Sequence, residues 1–295
     1  MSGINKTVII ETMQQDVYTI FLKKRGQIVT LMQFIALAFF ICCANMPGYR
    51  ALSQQAFTAY GSIDHSPKAT TQIPVLCYHQ VREWTAADSK SSRVYIMPVE
   101  TFHRQMTALH DSGYHTILPA QLIDYLKTGR SLPSKPVLIT FDDGTISQYT
   151  NALPVLEQTG FNAVFFIMTV TLGRPGYLSS NQVRALSARG FIIGCHTWDH
   201  HSVTAYNDID WKKQLIQPTR LLEQITGKEI KYFAYPFGAW NRNAVQQLKA
   251  QKYAGAFQLA GKQNTSERIF TIRRIIADSH WSGAQLIHAM KNSFR

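Results

Sequence analysis

The sequence predicts an α/β fold in which parallel strands alternate with helices and close into a distorted (β/α) barrel. Three observations carry that expectation. Short apolar runs of strand length recur along the chain, segments of helical spacing separate them, and polar, chemically capable residues cluster just after the runs. Strands that alternate with helices are parallel and joined by right-handed crossovers. Roughly seven or eight such units suit a barrel better than an open sheet.

In chain order the expected strands are 73–78, 115–118, 136–141, 163–168, 191–195, 232–235, 254–257 and 270–276. Several are continuously apolar, as when both faces of a sheet are covered. Between them, Phe102, Met106 and Leu109, then Leu122, Tyr125 and Leu126, then Leu215, Leu222 and Ile225 fall at helical spacing. Gly160, Gly190 and Gly227 stand where helices would end in a left-handed residue.

Ahead of this pattern, Lys23, Lys24 and Arg25 precede an apolar stretch from Ile28 to Ala44, and a polar segment follows. A positive cluster before an apolar run is the layout of an export signal. The expected organisation is a leader or signal-anchor over 1–45, a linker over 46–71 and a catalytic domain over 72–295. The long stretch before the basic cluster suits either a downstream start, such as Met13, or an uncleaved anchor. Both place the domain outside the cytoplasm, in the periplasm, at the cell surface or beyond, and an uncleaved segment would hold it in the cytoplasmic membrane. The formal charge of +12 accompanies no nucleic-acid motif, so a nucleic-acid partner is not expected. Beyond the leader only Cys77 and Cys195 remain, both read as small core residues. Oligomeric state is not legible.

The polar residues fall on one rim. His79 follows the first strand, Asp142, Asp143 and Gly144 the third, His196 the fifth, and Pro236-Phe237-Gly238 the sixth. All lie at C-terminal strand ends, where a parallel barrel builds its active site. His196 and His200, read as lying on one helical turn, would project together, and a carboxylate completes a two-His, one-Asp metal set. Zinc fits, as do other first-row divalent ions. Two adjacent carboxylates at a buried strand end need a cation nearby. One would bind the metal while its neighbour takes a proton from water, and Gly144 permits the tight turn between them. Such a set would suit amide hydrolysis, with Asp142 expected as base and His79 as the candidate acid that protonates the departing amine. His201 is a weaker rival for the acid. A backbone N–H in the Tyr235–Gly238 turn (Tyr235, Pro236, Phe237) would stabilise the oxyanion.

These motifs resemble the NodB-homology polysaccharide deacetylases, carbohydrate esterase family 4. Thr140–Gly144 is similar to the family's first motif and His196–His200 to its second. The resemblance implies that Asp142 is the base and that Asp143, His196 and His200 bind the metal. More narrowly, Val75–His79 ahead of the first motif and Phe233–Gly238 resemble the circularly permuted branch that includes poly-β-1,6-N-acetylglucosamine N-deacetylases of biofilm formation. That branch implies His79 as acid and an N-acetylated polysaccharide as partner. No glycosidase-like domain follows Arg295, so the single-domain form is expected. The sequence departs from the family where an arginine normally orients the base, since Lys231 or Tyr232 stands there; Arg273 or Arg274 is the candidate substitute. His288 is the rival acid, within a segment of amphipathic helical spacing.

Other glycans remain open, including chitin oligomers and peptidoglycan, and a deacetylase of small molecules or of O-acetyl esters would use the same residues. Trp84, Trp198, Trp240 and Trp281 near the motif loops favour a polymer, because sugars stack on aromatic rings. A non-catalytic glycan-binding protein of this fold would need no free base beside a metal set.

Overall fold

The computed structural model describes residues 72–294, so the expected leader and linker lie outside the described residues. The strands are β1 (Val75–Tyr78), β2 (Gln80–Val81), β3 (Ile96–Met97), β4 (His115–Thr116), β5 (Pro136–Phe141), β6 (Val164–Ile167), β7 (Ile192–Cys195), β8 (Tyr232–Ala234), β9 (Gly255–Phe257) and β10 (Ile275–Ile276). The helices are α1 (Val99–Asp111), α2 (Pro119–Thr128), α3 (Leu153–Thr159), α4 (Ser180–Ala188), α5 (Asp208–Trp211), α6 (Gln217–Thr226), α7 (Arg242–Ala250) and α8 (Gly283–Ser293). None of the helices among the described residues is long and apolar enough to cross a membrane.

The main sheet runs β10-β1-β5-β6-β7-β8-β9, with β4 added beside β5, and every pairing is parallel. A single parallel bridge between Phe257 and Ile272 links β9 to the segment that leads into β10, and this closes the ring. The barrel is distorted at that seam. Strand was expected over 270–276, but Arg268–Phe270 forms a 3-10 turn and only Ile275–Ile276 pairs with β1. No α-helix separates β9 from β10, a departure from strict alternation.

Alternate strand residues face two different cores, as the two-residue period of a strand dictates. Val75, Leu138, Val164, Phe166, Ala234 and Phe257 belong to the interior cluster. Leu76, Ile139, Phe141, Phe165, Ile193 and Phe233 belong to the larger layer beneath the helices. Phe141 and Phe165 stack there at 4.9 Å. Helix α2 sends Leu122 and Ile123 into the interior cluster. A Cβ on Gly255, the first residue of β9, would come within 2.7 Å of Ile123, so α2 closes the end of the barrel away from the strand C-termini. Gly160 and Gly227 are the left-handed C-caps of α3 and α6, as their positions in the sequence indicate.

Candidate active site

The site grows from the C-terminal ends of β1, β5, β7 and β8, with Arg274 added from just ahead of β10. Strand β5 ends at Phe141, and the next three residues turn sharply. Asp143 and Gly144 both adopt left-handed backbone, with φ of 74° and 73°. Asp tolerates that conformation better than most residues, and glycine adopts it without steric cost. The turn sends the two neighbouring carboxylates into different surroundings.

Asp142 points inward and is 3% exposed. Arg274, fully buried, grips it with both terminal nitrogens, Nη1 to Oδ1 at 2.7 Å and Nη2 to Oδ2 at 2.8 Å. Such a fork fixes both the position and the plane of the carboxylate. Arg274 is itself held. Its Nε donates to the Gln258 carbonyl, its Nη1 also donates to Thr140 Oγ1, and its guanidinium lies over the Phe166 ring. Phe166 in turn fills space left open by Gly194, where a Cβ would come within 2.4 Å of the ring. Burial alone would raise the Asp142 carboxyl, but the Arg274 charge prevails and holds it well below the usual carboxylate range. The Cys77 thiol also donates weakly to Asp142 Oδ2 at 3.6 Å, and burial pushes that thiol well above its usual range, so it stays protonated. Both Cys77 and Cys195 are free and buried, consistent with small core residues.

Of the two candidate arginines, the strand alternation selects Arg274. Ile272 lies in the interior cluster and Arg274 shares its side of the chain, whereas Arg273 turns away to the Ala260 and Ser293 carbonyls and the Phe294 ring. Lys231 pairs with Glu229 at the surface, and Tyr232 is buried in the interior cluster.

Asp143 faces His196 and His200. Its Oδ1 lies 3.6 Å from Nε2 of each imidazole. The expectation that one helical turn brings the two histidines together is corrected. Residues 196–202 are not helical: Thr197 and His200 take left-handed backbone, φ 68° and 69°, and the His200 N–H donates to Thr197 Oγ1. The bend, not helical spacing, brings the rings to 4.7 Å. His196 Nδ1 is bonded to the Ala234 carbonyl at 2.8 Å, which leaves Nε2 to face the site. Burial and the neighbouring His196 push His200 down to about 4, so it stands in the neutral form, the one able to bind a metal.

The trio fits a metal ion on its own structural evidence. Asp143 Oδ1 and His196 Nε2 are buried and have no hydrogen-bond partner among the described residues, although such atoms are normally satisfied. One ligand atom from each of Asp143, His196 and His200 lies within 4.8 Å of the others. Two imidazoles and a carboxylate are a catalytic-type donor set.

His79 lies beside Asp142, in a cluster with Asp142 and Cys77. Its ring packs edge-on against the half-exposed Tyr95 at 4.8 Å, and burial lowers its pKa. The rival histidines are elsewhere. His288 is exposed on α8 and bonded to Asn292, and His201 is exposed with its Nδ1 on Asp199. In the 235–238 turn, the Tyr235 N–H is taken by the Phe257 carbonyl and the Gly238 N–H by the Tyr235 carbonyl. Pro236 has no N–H, so Phe237 is the remaining donor. Phe237 has φ 60°, is 67% exposed and packs its ring on His200 at 4.5 Å. Among the tryptophans, Trp84, Trp198 and Trp240 are half-buried, and Trp281 packs against the main core. Sequence reasoning missed Gln148, which is fully buried and bonded to the Asp142 and His79 carbonyls.

Residues 129–256 match the family model described as polysaccharide deacetylase, and the chain carries a polysaccharide deacetylase domain of the NodB-homology, carbohydrate esterase family 4 type. It is a hydrolase of that class, a polysaccharide N-deacetylase. Among individual proteins, the poly-β-1,6-N-acetyl-D-glucosamine N-deacetylase of Staphylococcus aureus (strain MSSA476) is 26% identical over 245 residues, covering 73% of this chain and 83% of its own. YxkH of Bacillus subtilis is 26% identical over 214 residues, covering 72% of this chain and 74% of its own. Solved structures share the fold. The Streptococcus pyogenes deacetylase PplD, in complex with acetate, superposes with a TM-score of 0.68 at 21% identity, over 75% of this chain and 99% of that one. IcaB from Ammonifex degensii gives 0.60 at 24%, over 77% and 98%.

Proposed function

We propose that this protein is a metal-dependent N-deacetylase of an N-acetylglucosamine polymer, with poly-β-1,6-N-acetylglucosamine as its substrate. The observation that carries the chemistry is the split between adjacent carboxylates: Asp142 is clamped by Arg274, and Asp143 faces two imidazoles. The substrate assignment rests on the span of the Staphylococcus relative. Its match covers 73% of this chain, against 40% for the peptidoglycan-N-acetylglucosamine deacetylase of Bacillus cereus.

In this reading Asp143, His196 and His200 hold a divalent cation, with zinc the ion their donor set suits. Such an ion lowers the pKa of water and polarises an acyl oxygen. Asp142, kept ionised and aimed by Arg274, accepts a proton from the water that attacks the acetamide carbon. The Phe237 N–H donates to the oxygen on which negative charge develops. His79 delivers a proton to the departing amine nitrogen. The exposed Tyr95 and Phe237 flank this centre and offer ring faces to the sugars. The apolar N-terminal segment carries the domain out of the cytoplasm, either as a cleaved leader or as a membrane anchor.

The test is acetate release from poly-β-1,6-N-acetylglucosamine, chitin oligomers and peptidoglycan, with the protein stripped of metal and then reconstituted with zinc. Zinc-restored release from the first polymer, well above the other two, is expected. Equal release with and without metal would overturn the metal dependence, and preference for another glycan would overturn the substrate.

A further inference from the structure

Base and acid come from different strands, β5 and β1, and something must set their separation. The segment that leaves the Asp142–Gly144 turn does so with side chains. Gln148 donates from one Nε2 to the Asp142 carbonyl at 2.5 Å and to the His79 carbonyl at 2.9 Å. Ser147 Oγ accepts the Val81 N–H, and Asn151 Nδ2 donates to the Val81 carbonyl. Two residues past the acid, Val81 is therefore held from both sides. Residues Gln148–Ala152 form a π-helical turn that runs directly into α3. Such turns are rare and are enriched at functional sites. Gln148 is 0% exposed, and its Oε1 has no hydrogen-bond partner among the described residues. A residue kept only for packing would not bury an unpaired acceptor, which an apolar side chain of that volume avoids.

We infer that Gln148 is a positioning residue for deacetylation: its amide bridges the main chain of the base and of the acid and fixes the gap in which the acetamide reacts. This rests on the proposed roles of Asp142 and His79. Gln148 touches neither substrate nor reacting atoms. It acts by geometry, where displacements of about 1 Å are enough to cost about a hundredfold in rate.

The test compares Gln148→Met, which keeps the volume and removes both donated bonds, with Gln148→Glu, which as a neutral acid keeps one O–H donor. Steady-state acetate release from an acetylated oligosaccharide, zinc content and melting temperature are measured for each. In Gln148→Met, kcat is expected to fall about 10- to 100-fold with KM within about twofold and zinc content unchanged, and Gln148→Glu is expected to fall between it and the wild type. If Gln148→Met does not fold, Asn151→Leu, which frees only the Val81 carbonyl, is expected to lower kcat about threefold or more. A change in melting temperature alone, or a kcat loss matched by zinc loss, overturns the inference. Asp142→Asn and His79→Ala are assayed in parallel. Activity retained in these two refutes the assigned roles, whereas their loss with unchanged kcat in the Gln148 variants refutes only the bridge.

Discussion

Asp142 and Asp143 are neighbours in sequence and opposites in environment. Asp142 is satisfied by the protein alone: a two-pronged arginine, a thiol and near-complete burial leave its carboxylate little freedom. Asp143 and His200 are partly open to solvent, His196 is buried, and Asp143 Oδ1 and His196 Nε2 have no hydrogen-bond partner among the described residues. The contrast teaches how one turn serves two tasks. In the proposed mechanism the carboxylate whose hydrogen bonding closes within the protein is the base, and the one left open is the metal ligand.

The largest expected effect breaks that division at the base. Asp142→Asn should lower acetate release about 10³-fold while zinc content stays at the wild-type level. Asp143→Asn should lose both. Equal zinc loss in the two variants, read by metal analysis, would erase the distinction.

Next comes the clamp. Arg274→Met leaves a buried carboxylate without its counter-charge and should cost about 3–5 kcal/mol in urea unfolding. The sign for pH follows from the depressed folded pKa of Asp142. In the wild type, the stability from this pair is fully present above the ordinary carboxylate pKa and is lost only as pH falls through the lower folded value. Without Arg274, burial acts unopposed and raises that pKa. The acid limb of the activity profile should therefore move to higher pH in the variant.

On the open side, zinc at about 100 times its dissociation constant should stabilise the domain by about 2.7 kcal/mol. Thermal shift should show this stabilisation in the wild type and in Asp142→Asn, and should show it abolished in His196→Ala. A zinc-induced shift that survives in His196→Ala would place the ion elsewhere.

The smallest expected effect sharpens the comparison from a distance. Gly194→Ala crowds the Phe166 ring on which Arg274 rests, and overpacking of this kind costs about 1–3 kcal/mol. Activity should fall with it, but the zinc-induced shift should not.

Much of this was legible in the sequence because reactive residues sit directly behind apolar runs. Strand β5 matches its expected bounds, Pro136–Phe141, and the rim of candidate residues follows from counting residues past each strand. What failed has physical causes. Nothing in His-Thr-Trp-Asp-His distinguishes a helical turn from a bend containing two left-handed residues. The choice between Arg273 and Arg274 depends on which side of a nearly unpaired strand faces inward, and only the register decides that, although two charges ahead of Ile275–Ile276 marked the place. Two-residue strands such as β2 and β3 carry no period to read. Gln148 gave no signal at all, since its role lies in which carbonyls it meets.

The seam of the barrel also joins the two ends of the candidate site. Arg274 lies 132 residues beyond Asp142, just past the single bridge that closes the ring. In the proposed mechanism the metal ligands all come from the chain ahead of β8, whereas the counter-charge on the base comes from beyond β9. Under the proposed roles, the base gains its counter-charge only when the segment after β9 docks.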